Sequence, residues 1–212
     1  MPSASDFEPG SSTQKRLAVV LGLNLSLLTS LLVVGLSSHS LSVFAEGVDY
    51  LADAAGIALS LVAIGIGKRR PTSRLPKIAA FINAGWLLVL NLIIIVGSAV
   101  RLLEGSRPVQ GVQVLVISSI AAVVMGFGAF ILADDDDDDI EIHLNRKAIL
   151  LDTIADAATA LGVAATGGII AIVKGIYWLD PLAAISISLI VGYRALRLLE
   201  KTLPLLKGPN KF

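Results

Sequence analysis

Six long apolar stretches alternate with short polar ones along this chain. A membrane-crossing helix needs about 20 mainly apolar residues. Segments of that kind lie at about 17–38, 41–67, 76–101, 109–132, 146–172 and 177–203. Proline breaks helix interiors but is tolerated at their ends. Pro71, Pro76, Pro108 and Pro181 accordingly fall in connections or at helix starts. Residues 1–14 are polar and rich in Ser, Gly and Pro, which predicts a disordered tail. No small-x-small cleavage site follows the first span, so that span is read as a retained helix. The predicted fold is an all-α membrane protein with six transmembrane helices over 15–206 and a short tail at 207–212.

Composition sharpens this picture. The chain is 55% hydrophobic and only 16% charged, which excludes an ordinary soluble domain. With no cysteine, it has neither a disulfide framework nor a thiolate metal site. The zero net charge is uninformative as a total, but its distribution is not. Of the 17 lysines and arginines, only Arg101, Arg107 and Lys174 fall on the side opposite the N-terminus. By the positive-inside rule both termini are then cytoplasmic, as is the loop holding Asp134 to Asp139. The lipid bilayer is the expected environment, most simply the cell (plasma or inner) membrane, and no nucleic-acid partner is expected.

The acids inside the spans carry the candidate chemistry. Span two reads "EGVDYLADAAG", with Asp49 and Asp53; span five reads "LLDTIADAATALG", with Asp152 and Asp156. Each pair is spaced i, i+4, so both carboxylates share one helix face, a turn apart. One carboxylate at membrane depth costs about 3 kcal/mol on insertion scales. Two pairs make sense if they face one another around a cation. Glu46 lies on the same face nearer the outer end, where a gate role competes with a simpler solvated carboxylate. Asn24, Asn83 and Asn91 are candidates for lining a pathway or for bonding between helices, with Asn24 preferred for the pathway. The small residues of "ADAAGIALS" and "ADAATALGVAATGG" would let helices pack closely. His39 falls in an outer loop and is read as exposed.

These residues resemble the cation diffusion facilitator family. The stretch "NLSLLTSLLVVGLSSHSLSVFAEGVDYLADAAGIALSLVAIGIGKRRP" is similar to the family's opening, where a small-residue loop leads into two ligands four apart. "NRKAILLDTIADAATALGV" is similar to its second paired motif, followed by Thr159 where a small hydroxyl residue is common. "WLDPLAAISISLIVGYRALRLLEKTLPLL" is similar to its sixth span, which opens with Asp-Pro. The likeness covers about residues 15–206. Two departures stand out. Many members place histidine first in the fifth-span motif, whereas all four positions here are aspartate. Members usually carry a soluble C-terminal domain, which this sequence is expected to lack, so any homodimer would rest on transmembrane contacts.

The resemblance implies export of divalent metal by alternating access, coupled to inward proton movement. The metal is then the transported substrate; no cofactor and no catalytic residue is implied. Four clustered carboxylates repel one another, and either a divalent ion or protons relieve that repulsion. The two therefore compete for one site, as antiport requires. Carboxylates suit Mn²⁺ and Fe²⁺ better than imidazole or thiolate would, although Zn²⁺, Co²⁺ and Cd²⁺ stay close behind. A membrane prenyltransferase using Mg²⁺ and a diphosphate is the enzyme alternative, and an uncoupled metal channel is another. The six consecutive aspartates, Asp134, Asp135, Asp136, Asp137, Asp138 and Asp139, cannot converge on one ion from a helix. They fit a solvated run that gathers cations electrostatically, with His143 beside it, or a plain spacer.

Overall fold

The computed structural model describes the backbone of residues 10–67, 75–133 and 140–207, and the side chains of most of them. The acidic run 134–139 and the expected tails at 1–9 and 208–212 lie outside the described residues, as does the side chain of His143. Among the described residues every regular element is helical. The helices are α1 (Gly10–Ser37), α2 (Leu41–Gly67), α3 (Leu75–Glu104), α4 (Gly111–Ala133), α5 (Ile140–Ile172) and α6 (Leu179–Lys207). Each coincides with one predicted apolar segment, but several run longer. Residues 10–14, expected in the polar tail, are helical, and α5 begins at Ile140 rather than near 146. Helical hydrogen bonding does not stop where apolarity does, so a span is shorter than the helix that contains it.

The exterior is unlike that of a water-soluble bundle. Large apolar side chains such as Leu36, Leu103, Val123, Phe130 and Ile172 point outward and exposed. The interior is mainly apolar too, but it also holds Asn24, Glu46, Asp49, Asn91, Ser118, Asp156 and Asp180, all buried. An apolar exterior around a core that encloses these polar groups suits lipid as the surrounding solvent. Among the described residues, five helices contain stretches long and apolar enough to cross a membrane: Lys15–Ser37, Phe81–Glu104, Gly111–Ala133, Ile149–Ile172 and Leu179–Glu200. In α2, Glu46, Asp49 and Asp53 interrupt the apolar run. This helix has 27 residues, and it packs against α1, α3, α5 and α6. From Ser42 to Tyr50 every residue except Phe44 is buried, so Glu46 and Asp49 are enclosed by protein, while Asp53 is half-buried.

The most extensive packing pairs α4 with α5, α3 with α6 and α1 with α2. Close approach of α4 and α5 depends on glycine. A Cβ on Gly167 would lie 2.6 Å from the Leu115 nitrogen, and one on Gly111 would lie 2.6 Å from the Gly167 carbonyl oxygen. Small residues at such a crossing let two backbones touch, which is the packing expected of the "VAATGG" segment. Gly167→Val should therefore force the two helices apart. A loss of about 1–3 kcal/mol, the usual range for overpacking, is expected as a lowered melting temperature in detergent. An unchanged melting temperature would mean the α4–α5 contact contributes little.

The connections 38–40 and 105–110 and the start of α6 meet at one end of the bundle. There the Gln110 N–H donates to the Ser38 carbonyl at 3.2 Å. Arg101 donates to the carbonyl of His39 at 2.6 Å, and Ser40 donates to Asp180 at 2.5 Å. His39 itself is exposed and turns the chain with a φ of 56°. This end is tied shut by hydrogen bonds.

Candidate metal centre

Asp49 and Asp53 sit one turn apart on α2, and Asp152 and Asp156 one turn apart on α5. The i, i+4 spacing does turn both pairs toward a common cavity of about 200 Å³. The four carboxylates are not equivalent, however. Asp49, Asp53 and Asp156 each offer an oxygen within 4.8 Å of the other two. Asp152 stands outside that group, with 45% of its side chain exposed against 3% for Asp156. All four expected carboxylates line one cavity, three of them converging and the fourth at its rim. Oδ1 of Asp49, Oδ2 of Asp53 and Oδ1 of Asp156 are buried without a hydrogen-bond donor. Buried carboxylate oxygens facing each other without donors suit a cation, because otherwise they lose solvation and gain repulsion.

The cavity also shows which way the site opens. Gly56 and Leu59 follow Asp53 along α2, Ile149 precedes Asp152 on α5, and Leu198 follows Arg194 on α6; all four line it. These positions extend from the acids toward the end of the bundle opposite the hydrogen-bonded loops. Asn24 and Asn83 line the cavity too. Asn24 is buried with Oδ1 unpartnered, which leaves a neutral oxygen available at the site. Asn91 is elsewhere, its amide donating to the Leu87 carbonyl at 2.9 Å. Thr159 bonds the Ala155 carbonyl of its own helix, and it is Thr153 that lines the cavity.

Glu46 differs from the simpler expectation. It is not solvated but 1% exposed, and it accepts a hydrogen bond from the Ser118 hydroxyl at 2.7 Å. Its Oε1 has no donor, and neither does the nearby Tyr50 hydroxyl have a partner. Glu46 lies one turn from Asp49 toward the closed end, so a polar step continues beyond the cavity.

Arg194 of α6 was not foreseen as part of the site. Its Nη1 lies 3.0 Å from Asp152 Oδ1, 3.6 Å from Asp156 Oδ1 and 3.8 Å from Asp49 Oδ1. In the sequence it counts only toward the positive-inside bias. The signal was its register. Ile187, Ser188, Val191 and Ala195 form the buried stripe of α6, and position 194 falls three residues after Val191 on that stripe. Arg197, by contrast, is exposed and stacks on Tyr193 with its guanidinium 5.3 Å from the ring centre.

Comparison with known proteins places the chain in a family. A family model, the cation efflux transmembrane domain, matches residues 17–206. Zinc transporter ZitB of Escherichia coli is 30% identical over 212 residues, covering 96% of this chain and 66% of that protein. The Yersinia pestis ZitB is 27% identical, covering 90% of this chain and 62% of its own length. The cadmium, cobalt and zinc/H(+)-K(+) antiporter of Bacillus subtilis is 27% identical, over 74% and 51% respectively. The chain thus spans about two-thirds or less of the length of these relatives. With the match running through all six helices, the chain belongs to the cation efflux family, the cation diffusion facilitators, and is a multi-pass integral membrane protein.

Proposed function

We propose that the protein exports divalent metal ions from the cytoplasm by alternating access, in exchange for protons. The observation that carries this reading is the convergence of three carboxylates within 4.8 Å, two buried and one half-buried, in a cavity reaching toward one end of the bundle. Asp49, Asp53 and Asp156 hold the ion, Asp152 guides it at the rim, and Asn24 and Glu46 are accessory. All six helices cross the bilayer in this proposal, α2 being shielded from lipid on its acidic half by its neighbours. The tied end carries Arg101, Arg107 and Lys174 and faces outward; both termini are cytoplasmic. The cavity then opens inward, to the side from which an exporter loads.

The ion is a divalent transition metal. All-oxygen ligation leans toward Mn²⁺ or Fe²⁺, while the relatives' names point to Zn²⁺, Cd²⁺ and Co²⁺. Carboxylates accept Zn²⁺ as well. The relatives are transporters, which favours transport over the prenyltransferase alternative, and one is named as an antiporter, which favours coupling over a channel.

Reconstituted proteoliposomes with a pH dye inside test this reading. Each of Zn²⁺, Co²⁺, Cd²⁺, Mn²⁺ and Fe²⁺ is offered outside in turn. At least one ion should enter with a matching alkaline shift of the dye, because protons leave the lumen in exchange, and an imposed pH gradient should change its rate. Flux indifferent to the gradient would make the protein a channel. No flux with any of the five ions would end the transport reading.

A further inference from the structure

Arg194 sits beside the place a transported cation would take. A single nitrogen, Nη1, faces Asp152, Asp156 and Asp49 at 3.0, 3.6 and 3.8 Å. Only the first of these distances is a hydrogen bond by length. The Oδ1 atoms of Asp49 and Asp156 that it faces are the same two oxygens left without a donor. The guanidinium is thus tethered to Asp152 and stands over the other two without bonding either. Both members of the tethered pair lie on the open side of the site, with 34% of the Arg194 side chain and 45% of the Asp152 side chain exposed. An ion bound at ordinary metal–oxygen lengths of about 2.0–2.2 Å among these carboxylates would face a like charge a few ångströms away.

We propose that Arg194 is the resident counter-cation of the metal site: its guanidinium, tethered to Asp152, neutralises Asp49 and Asp156 when the site is empty, and an incoming divalent ion pushes it outward from those two while Asp152 keeps hold of it at the rim. The inference rests on the transporter reading above and deepens it. Repulsion between two positive charges in a poorly hydrated cavity lowers affinity for the metal. The same charge, returning to the carboxylates, helps expel the ion. Arg194 is therefore a residue that tunes binding and release, and Asp152 is its resting partner more than a ligand. Arginine suits the task because its charge is permanent and its donors are fixed in a plane, so it cannot vacate the site by losing a proton.

The test compares the full chain with Arg194→Gln, Arg194→Lys and Asp53→Asn, titrated with Zn²⁺ and Mn²⁺ at one pH by calorimetry in detergent. Arg194→Gln should bind at least one of these ions about tenfold more tightly, and in proteoliposomes its KM and kcat should both fall. Arg194→Lys keeps the charge and should bind like the parent. A merely structural role would weaken binding in both variants. Equal or weaker binding by Arg194→Gln overturns the proposal. Should that variant fail to fold, the parent protein decides: saturating Zn²⁺ should speed phenylglyoxal modification of Arg194 several-fold, with Arg197 unchanged as the internal reference. Unchanged or slower modification overturns the proposal as well. Asp53→Asn separates the two levels of inference. If it binds metal like the parent, the central site is misplaced. If it loses binding while Arg194→Gln gains none, the role of Arg194 alone fails.

Discussion

Asp53→Asn should abolish metal transport while leaving a folded protein in the membrane, and Asp156→Asn should do the same. Asn matches Asp in shape, so packing survives, but it removes a charge from the three oxygens that converge within 4.8 Å. Loss of a residue that merely supports a metal ligand typically costs 10–100-fold in affinity or activity; loss of a ligand should cost at least about 100-fold. Asp152→Asn should be milder, because its carboxylate is outside that group and 45% exposed. A graded series is expected, with Asp53 and Asp156 near zero, Asp49 close to them and Asp152 retaining measurable transport. Initial rates of metal entry into proteoliposomes, with melting temperatures as the folding control, measure it. Equal loss at all four positions would restore the symmetric four-carboxylate site. Normal rates in Asp53→Asn would remove the site altogether.

The sequence made some of this legible and hid the rest for definable reasons. Six apolar runs of membrane length are a strong signal, because a spanning helix must satisfy its whole backbone internally and clothe it in apolar side chains. The DxxxD pairs were legible because two turns of buried acid are too costly to be accidental. Their ranking was not. Asp152 and Asp156 share a helix face, yet one turn along α5 moves a carboxylate from the buried interior to the cavity rim. Helical spacing fixes direction but not depth. Glu46 was read as solvated because it lies near a helix end, whereas α2 is enclosed by four other helices and that end is tied beneath the loops. Arg194 was masked by the very rule that oriented the chain. A basic residue near the inner end of a span is usually an anchor, and only its place on the buried stripe of α6 marks it as different.

The two ends of the bundle are built for different tasks. At the cavity end the acids, Asn24, Asn83 and Arg194 line an opening, and several of their polar atoms lack partners. At the other end the donors of the first turn of α2 are engaged. A site that must release its cargo needs unsatisfied groups. A closure that must hold its helices in register needs satisfied ones.

Asp180→Ala should be among the most destabilising single changes in the protein. Helix α2 begins at Leu41, and its first N–H groups have no partner within the helix. The Leu41 N–H donates to Asp180 Oδ2 at 2.8 Å and the Ser42 N–H to Oδ1 at 3.3 Å. Next, the Val43 N–H donates to Ser40 Oγ at 3.2 Å, the usual N-cap bond. The Ser40 and Ser42 hydroxyls both donate to Asp180 Oδ1, at 2.5 and 2.6 Å. A carboxylate from the start of α6 thus caps α2, where its charge also complements the positive end of that helix. Asp180 is 0% exposed, so no water replaces it when it is removed. Each orphaned buried donor costs about 1–3 kcal/mol, and four donors lose their acceptor together. Even if the two hydroxyls find new partners, a loss of about 3 kcal/mol or more is expected from the backbone donors and the broken helix cap. Asp180→Asn keeps one acceptor oxygen but turns an amide NH₂ toward a neighbouring donor, so it should fall between alanine and the parent. Because α2 also carries Asp49 and Asp53 two to three turns further in, a loosened cap should lower metal transport along with the melting temperature. An Asp180→Ala protein that melts like the parent in detergent would show that the first turn of α2 is held by packing alone.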